Sequence, residues 1–245
     1  MIKPLTGVKT LNWDHFAPMF DESWHEWMKP IITSVPFAQD FAKLREMSKQ
    51  HQVIPSSKSN NLFRVFREVP YKSMRVVVVG LSPYNTIVNG VEVADGLAMS
   101  CSNTGKEQPT LTQWYNEMER QFGTNIIREP DLSYLCKAGV LLYNYSLTTE
   151  KGNATSHIPI WEYFTERLFK TAISHSDVPI ITLGREAGKV VDHILPWQEK
   201  YELKHPASAS YSKTDWTSDD AFRKVKHSLD KKGIPFSWVL FQDKF

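Results

Sequence analysis

The run Met74-Arg75-Val76-Val77-Val78-Val79-Gly80 constrains this chain more than any other stretch. Consecutive β-branched residues are poor helix formers and pack well in a pleated strand. A strand that is apolar at every position, with no alternation, is one buried on both faces, as in a parallel sheet. The glycine after it is turn punctuation. Residues 139–145, 178–183 and 201–204 read as further strands.

Between the strands lie stretches with helical spacing. Residues 37–50 place Phe37, Phe41, Leu44 and Met47 together, and 110–122 do so with Leu111, Trp114, Tyr115, Met118 and Phe122. Residues 160–174 carry Phe164, Leu168 and Phe169. In 219–232, Phe222, Val225 and Leu229 follow acidic residues suited to a helix start. Residues 53–61 are polar, hold Pro55 and read as a loop. The alternation predicts an α/β fold: one domain over 1–245, with a short four-stranded parallel sheet flanked by helices. In such sheets ligands bind beyond the carboxyl ends of the strands. The loops to inspect therefore begin at Gly80, Asn144, Gly184 and His205.

Composition sets milder bounds. With 245 residues, 41% of them hydrophobic, the chain can build a well-buried core. A net charge of +2 neither demands nor forbids nucleic acid, because a local basic patch matters more than the total. Cys101 and Cys136 are the only cysteines; they read as reduced thiols without the spacing of a zinc or iron–sulfur site, so no metal is expected. No apolar run reaches membrane-span length, and residues 1–14 lack a signal-peptide core. The expectation is a monomer in the cytoplasm, or in the nucleus of a eukaryote, with no membrane contact.

Three of the four loops carry unusual polar sequence. The first is Gly80-Leu81-Ser82-Pro83-Tyr84-Asn85, followed after residues 86–93 by Asp95-Gly96-Leu97-Ala98-Met99-Ser100. The second is Leu141-Leu142-Tyr143-Asn144, and the third is His205-Pro206-Ala207-Ser208-Ala209-Ser210. Each alone is weak. Together and in this order they resemble the family 1 uracil-DNA glycosylases, whose signature runs Gly-Gln-Asp-Pro-Tyr-His, Gly-Leu-aromatic-Ser, Leu-Leu-Leu-Asn and His-Pro-Ser-Pro-Leu-Ser. Gln108-Pro109-Thr110-Leu111, Ser156-His157, Trp161-Glu162-Tyr163-Phe164-Thr165 and Pro235-Phe236-Ser237-Trp238 extend the likeness, which covers roughly residues 12 to 240.

The resemblance implies a cofactor-free DNA glycosylase that flips a base out of DNA and hydrolyses its N-glycosidic bond. It implies that His205 stabilises the anionic base at its O2, that Asn144 reads the Watson–Crick edge, and that Tyr84 blocks the 5-position. It also implies phosphate contacts from Pro109, Thr110, His157, Ser208 and Ser210. Departures accompany it. The catalytic aspartate is Ser82, the glutamine before it is Leu81, and the histidine that closes the motif is Asn85. The ring that stacks on the base is Met99, and the leucine wedge that enters the vacated stack is Ala209. Related branches of the superfamily cut without the aspartate, so Ser82 and Asn85 stand as the candidate water-positioning groups, together with residues 86–93.

The altered positions leave uracil or a modified pyrimidine as the substrate. The alternative is a catalytically weak relative that binds DNA and scaffolds a replication protein. A third reading, a decoy for an inhibitor protein, has no sequence feature behind it.

Overall fold

The computed structural model describes residues 9–56 and 60–242. In chain order the helices are α1 (His25–Ile32), α2 (Val35–Gln50), α3 (Arg64–Glu68), α4 (Pro109–Phe122), α5 (Ser133–Lys137), α6 (Ile158–Thr171), α7 (Arg185–Ile194), α8 (Pro206–Ser212) and α9 (Ala221–Lys231). The strands are β1 (Val53–Ile54), β2 (Val76–Gly80), β3 (Ile87–Val88), β4 (Val91–Glu92), β5 (Val140–Asn144), β6 (Thr149–Glu150), β7 (Ile180–Leu183) and β8 (Lys200–Leu203).

The main sheet has the order β5-β2-β7-β8, and its pairings are all parallel. This is the four-stranded α/β arrangement expected from the valine run. Val76 to Val79 are fully buried. Removing each from water contributes on the order of 1.5 kcal/mol or more, which is why this strand forms the centre of the sheet. Packed helices complete the core. Phe37 of α2 meets Phe164 of α6 at 5.6 Å, and Trp114 of α4 meets Phe222 of α9 at 4.6 Å.

Two local readings change. Within 53–61, Val53 and Ile54 form β1, paired antiparallel with β6, because both side chains are buried. Residues 57–59 of that stretch lie outside the described residues. The acidic pair before α9 does not cap it through side chains: Asp219 and Asp220 both have positive φ, and Asp220 makes no capping hydrogen bond. Residues 86–93 contain a hairpin, β3 against β4, turned by Asn89-Gly90, both with positive φ. That is the backbone a two-residue primed turn demands, and Asn-Gly supplies it at little cost.

Strand order also locates the site. The chain leaves β2 for β5 on one side, then returns across β2 to β7 on the other. The connections therefore diverge at the carboxyl end of β2, where an open sheet forms its crevice. Gly80 and Asn144 are register partners at that end, and His205 follows β8 two residues later.

Candidate active site

A pocket of about 290 Å³ opens at this crevice. Its walls hold residues 80–85, Met99, Thr110, Asn144 and His205, all singled out from sequence, joined by Ala154, Thr155, Ala207 and Tyr211. That volume is near the lower end for a small-molecule site, roughly 300 Å³, and suits one flat ring.

His205 is the N-cap of α8, and its Nδ1 accepts the Ala207 backbone N–H at 3.1 Å. A ring nitrogen that accepts carries no proton, so the neutral ring bears its proton on Nε2. Burial lowers the His205 pKa below its ordinary value, which keeps the ring neutral. Gly184 permits the approach: a Cβ there would sit 3.3 Å from the His205 Cβ, and its φ of +96° disfavours any side chain.

Asn144 ends β5 and is buried, yet its amide makes no hydrogen bond to a described residue. Lining the pocket without a partner in the protein, the amide is free to pair with a ligand there. A Cβ on Gly80 would lie 2.5 Å from the Asn144 Oδ1, so only glycine leaves the amide where it is.

Tyr84 donates from its hydroxyl to the Met99 carbonyl at 3.1 Å, and burial pushes its phenol above the ordinary range. Met99 is buried at φ +66°, a conformation unusual for a side chain of its size. The fully buried Asp95 organises the segment that carries it. Its carboxylate accepts from Ser100 Oγ at 2.6 Å and from Ser102 N at 2.9 Å, and pairs with Arg64 at 3.0 Å. Thr155, across the pocket, has φ +67°, and its N–H donates to Ser82 Oγ at 3.3 Å. Two non-glycine residues in left-handed geometry thus line one pocket. Such strain, about 1–3 kcal/mol each, persists only where surroundings impose it, and it gathers at functional sites.

Ser82 accepts that one bond and has no histidine or lysine hydrogen-bonded to it among the described residues, so nothing raises its basicity. The Asn85 side chain borders the pocket while its carbonyl accepts from Gly152 N at 2.8 Å. Leu81 is half-buried in the same wall.

The candidate DNA-contacting residues divide. Pro109 and Ser208 are exposed, and Ser210 Oγ donates to the Pro109 carbonyl at 2.9 Å, which ties α8 to the start of α4. Two expectations fail. His157 is completely buried, with Nδ1 2.9 Å from Thr148 Oγ1, so it cannot reach a phosphate. Ala209 faces the core, only 5% exposed, and presents nothing to DNA. Sequence gave no warning of Thr155, whose part is played by its backbone. Tyr211 carried a readable signal, an aromatic residue that follows directly on the segment from His205 to Ser210.

Among the described residues no group of three or more His, Cys, Asp or Glu is placed to hold a metal ion, and no helix is long and apolar enough to cross a membrane. Both cysteines are buried and free, and burial raises the Cys101 thiol to about 11.

No protein-family model matches the chain. Individual relatives do. It is 30% identical over 208 residues to the uracil-DNA glycosylase of Mesomycoplasma hyopneumoniae, a match that covers 83% of this chain and 91% of that one. It is 32% identical over 195 residues to the uracil-DNA glycosylase of Borrelia duttonii, covering 78% and 85%. Among solved structures, mimivirus uracil-DNA glycosylase superposes with a TM-score of 0.78 at 20% identity, over 92% of this chain and 88% of that one. A mimivirus UNG variant in complex with UGI gives a TM-score of 0.80 at 20% identity, over 94% and 91%. The fold is thus shared with the solved structures, and the relatedness over most of both chains is carried by the bacterial sequences: this chain belongs to the uracil-DNA glycosylase family.

Proposed function

We propose that the chain is a monofunctional DNA glycosylase that removes uracil from DNA, with His205 and Asn144 as the groups that hold and activate the base. The observation that carries this reading is the pairing of a neutral His205 with an unpartnered Asn144 amide in one ring-sized pocket.

The roles follow from charge. Breaking the N-glycosidic bond leaves negative charge on the base and positive charge on the sugar. A proton on His205 Nε2 is a preorganised donor for the developing oxyanion, and such donors cost no reorganisation at the moment of reaction. Asn144 offers one donor and one acceptor, the complement of a uracil edge. Tyr84, held through its hydroxyl, narrows the space where a 5-substituent would lie, which favours uracil over thymine. Met99 supplies a polarisable apolar wall to the ring.

Water is handled differently here. Ser82 and Asn85 orient it as neutral hydrogen-bonding groups, and neither supplies the negative charge of a carboxylate. The product of such a site is a free base and an abasic sugar, released without a cofactor. Pro109, Ser208 and Ser210, at the starts of α4 and α8, are the proposed backbone-contacting residues, while the buried Thr110 lines the pocket itself; the start of α4 adds the partial positive charge of a helix N-terminus. A protein inhibitor is a partner to be tried, because the mimivirus relative is seen in complex with UGI.

The test is release of uracil from single-stranded and duplex oligonucleotides, with His205→Ala beside the wild type. Release that falls about 100-fold or more in the variant, with DNA binding intact, is the expected result. Salt-sensitive DNA binding without release by the wild type would leave the replication-scaffold reading in its place.

A further inference from the structure

Tyr211 is 89% exposed, more than Trp197 at 71% or Phe241 at 53%, and it borders the pocket mouth. It projects from α8, the short helix whose N-cap is His205. Several bonds fix that helix. Ser210 Oγ donates to the Pro109 carbonyl at 2.9 Å, Ser212 Oγ to the Ser208 carbonyl at 2.8 Å, and Thr214 N to the Ala209 carbonyl at 3.1 Å. The buried Ala209 anchors the helix from beneath. The tyrosine hydroxyl makes no hydrogen bond to any described residue. A large ring is therefore held out on a fixed support, beside a pocket, without a partner in the fold.

Extracting a nucleotide from duplex DNA leaves a gap between neighbouring bases, which stack at about 3.4 Å per strand. Unless something fills it, the lost stacking opposes extraction and draws the base back. An apolar side chain inserted between base steps offsets that loss, and a flat ring stacks on any base because each has a π-face. Ala209 faces inward and is too small to serve.

We propose that Tyr211 is the residue that enters the vacated base stack, so that it supports excision from duplex more than from single-stranded DNA. The inference rests on the base-flipping reading above. Its signature is specific, because a single strand has no paired stack to hold open. The ring's contribution falls mainly on duplex, whereas His205 and Asn144 act on both substrates alike.

The experiment compares wild type, Tyr211→Ala and Tyr211→Phe on uracil in duplex and in single-stranded oligonucleotides. The same proteins are titrated onto duplex carrying 2-aminopurine beside the uracil, whose fluorescence rises on unstacking. Tyr211→Ala is expected to lose about tenfold or more of duplex excision beyond any loss it shows on single strands. Its fluorescence rise should be lost as well. Tyr211→Phe should behave as wild type in every respect. Single-strand activity also reports that the variant is folded. Equal loss on both substrates, no loss on either, or a phenylalanine variant as impaired as alanine would each overturn the proposal. Failure of the glycosylase reading itself is separable: wild type would then release no uracil from single strands. The fluorescence arm still decides Tyr211 in that case, since a wild type that leaves the duplex stacked overturns the wedge.

Discussion

The two sides of the pocket are built to different standards. On the side proposed to hold the base, His205 has its proton placed by the Ala207 N–H, and Asn144 is held beside a glycine that leaves it room. On the side proposed to position water, Ser82 accepts one weak bond from Thr155 and Asn85 borders the pocket. The first side is preorganised for a developing negative charge. The second has no charge to set against the positive sugar. A glycosylase built this way relies on stabilising the leaving base, and its rate is limited by what the water side lacks.

Supplying the missing charge is the strongest way to break that asymmetry. In Ser82→Asp the carboxylate should accept the same Thr155 N–H and lie against the sugar and its water. Uracil excision is expected to rise about 100-fold, in line with the contribution of a positioned acid–base group. Single-turnover rates on a single-stranded substrate measure it free of product release. An unchanged rate would mean that another group already does this work and that the two sides are equal.

The reverse test loosens the base side through Gly80, the wall residue beside Asn144, and leaves His205 and Asn144 themselves unsubstituted. Gly80→Ala places a methyl where Asn144 Oδ1 now sits, at 2.5 Å, so the amide must turn away. Excision should fall by about tenfold or more, as one good hydrogen-bonded contact is lost. DNA affinity measured at fixed salt should hold, because phosphate contacts dominate it. If excision survives, Asn144 reads nothing and the base side rests on His205 alone.

Much of this asymmetry was legible in the chain. Four valines in a row fixed a doubly buried strand, and its terminal glycine marked the crevice, because burial on both faces leaves only one kind of sheet. His205, Asn144 and Tyr84 were legible through the resemblance of their loops to the family 1 signature, since each loop alone is weak evidence. What could not be read was depth. Ser156-His157 and Ser208-Ala209-Ser210 look alike as small polar segments, yet His157 packs inside with Thr148 and Ala209 faces the core. A sequence of mixed polarity does not say which side of a helix start meets solvent. Backbone roles such as that of Thr155 leave no trace in residue identity at all. The hairpin was different: Asn89-Gly90 announces its turn, but its length was too short for strand periodicity to show.

His157 gives the finest distinction, between a histidine kept for chemistry and one kept for the fold. Both His157 and His205 have pKa values lowered by burial, in His157 against the opposing pull of Glu150. The unfolded chain then binds protons near pH 6.5 that the folded chain refuses. Stability is therefore full above that pH and falls as the pH drops through 6.5 toward the folded values. Replacing His157 by Gln removes one of these sites while an amide can still meet Thr148 Oγ1. The variant should lose less melting temperature than wild type between pH 7.5 and 5, by about 2–4 °C per kcal/mol recovered for a chain of this size. Its excision rate at pH 7.5 should match wild type within about twofold, because His157 is sealed from the pocket. A melting curve series checks the first and the oligonucleotide assay the second. Were the rate to collapse while stability held, the buried ring would have to be moved to the chemical side of the comparison, through the Thr148 and Trp161 bonds that join it to the strand-end loop after Asn144.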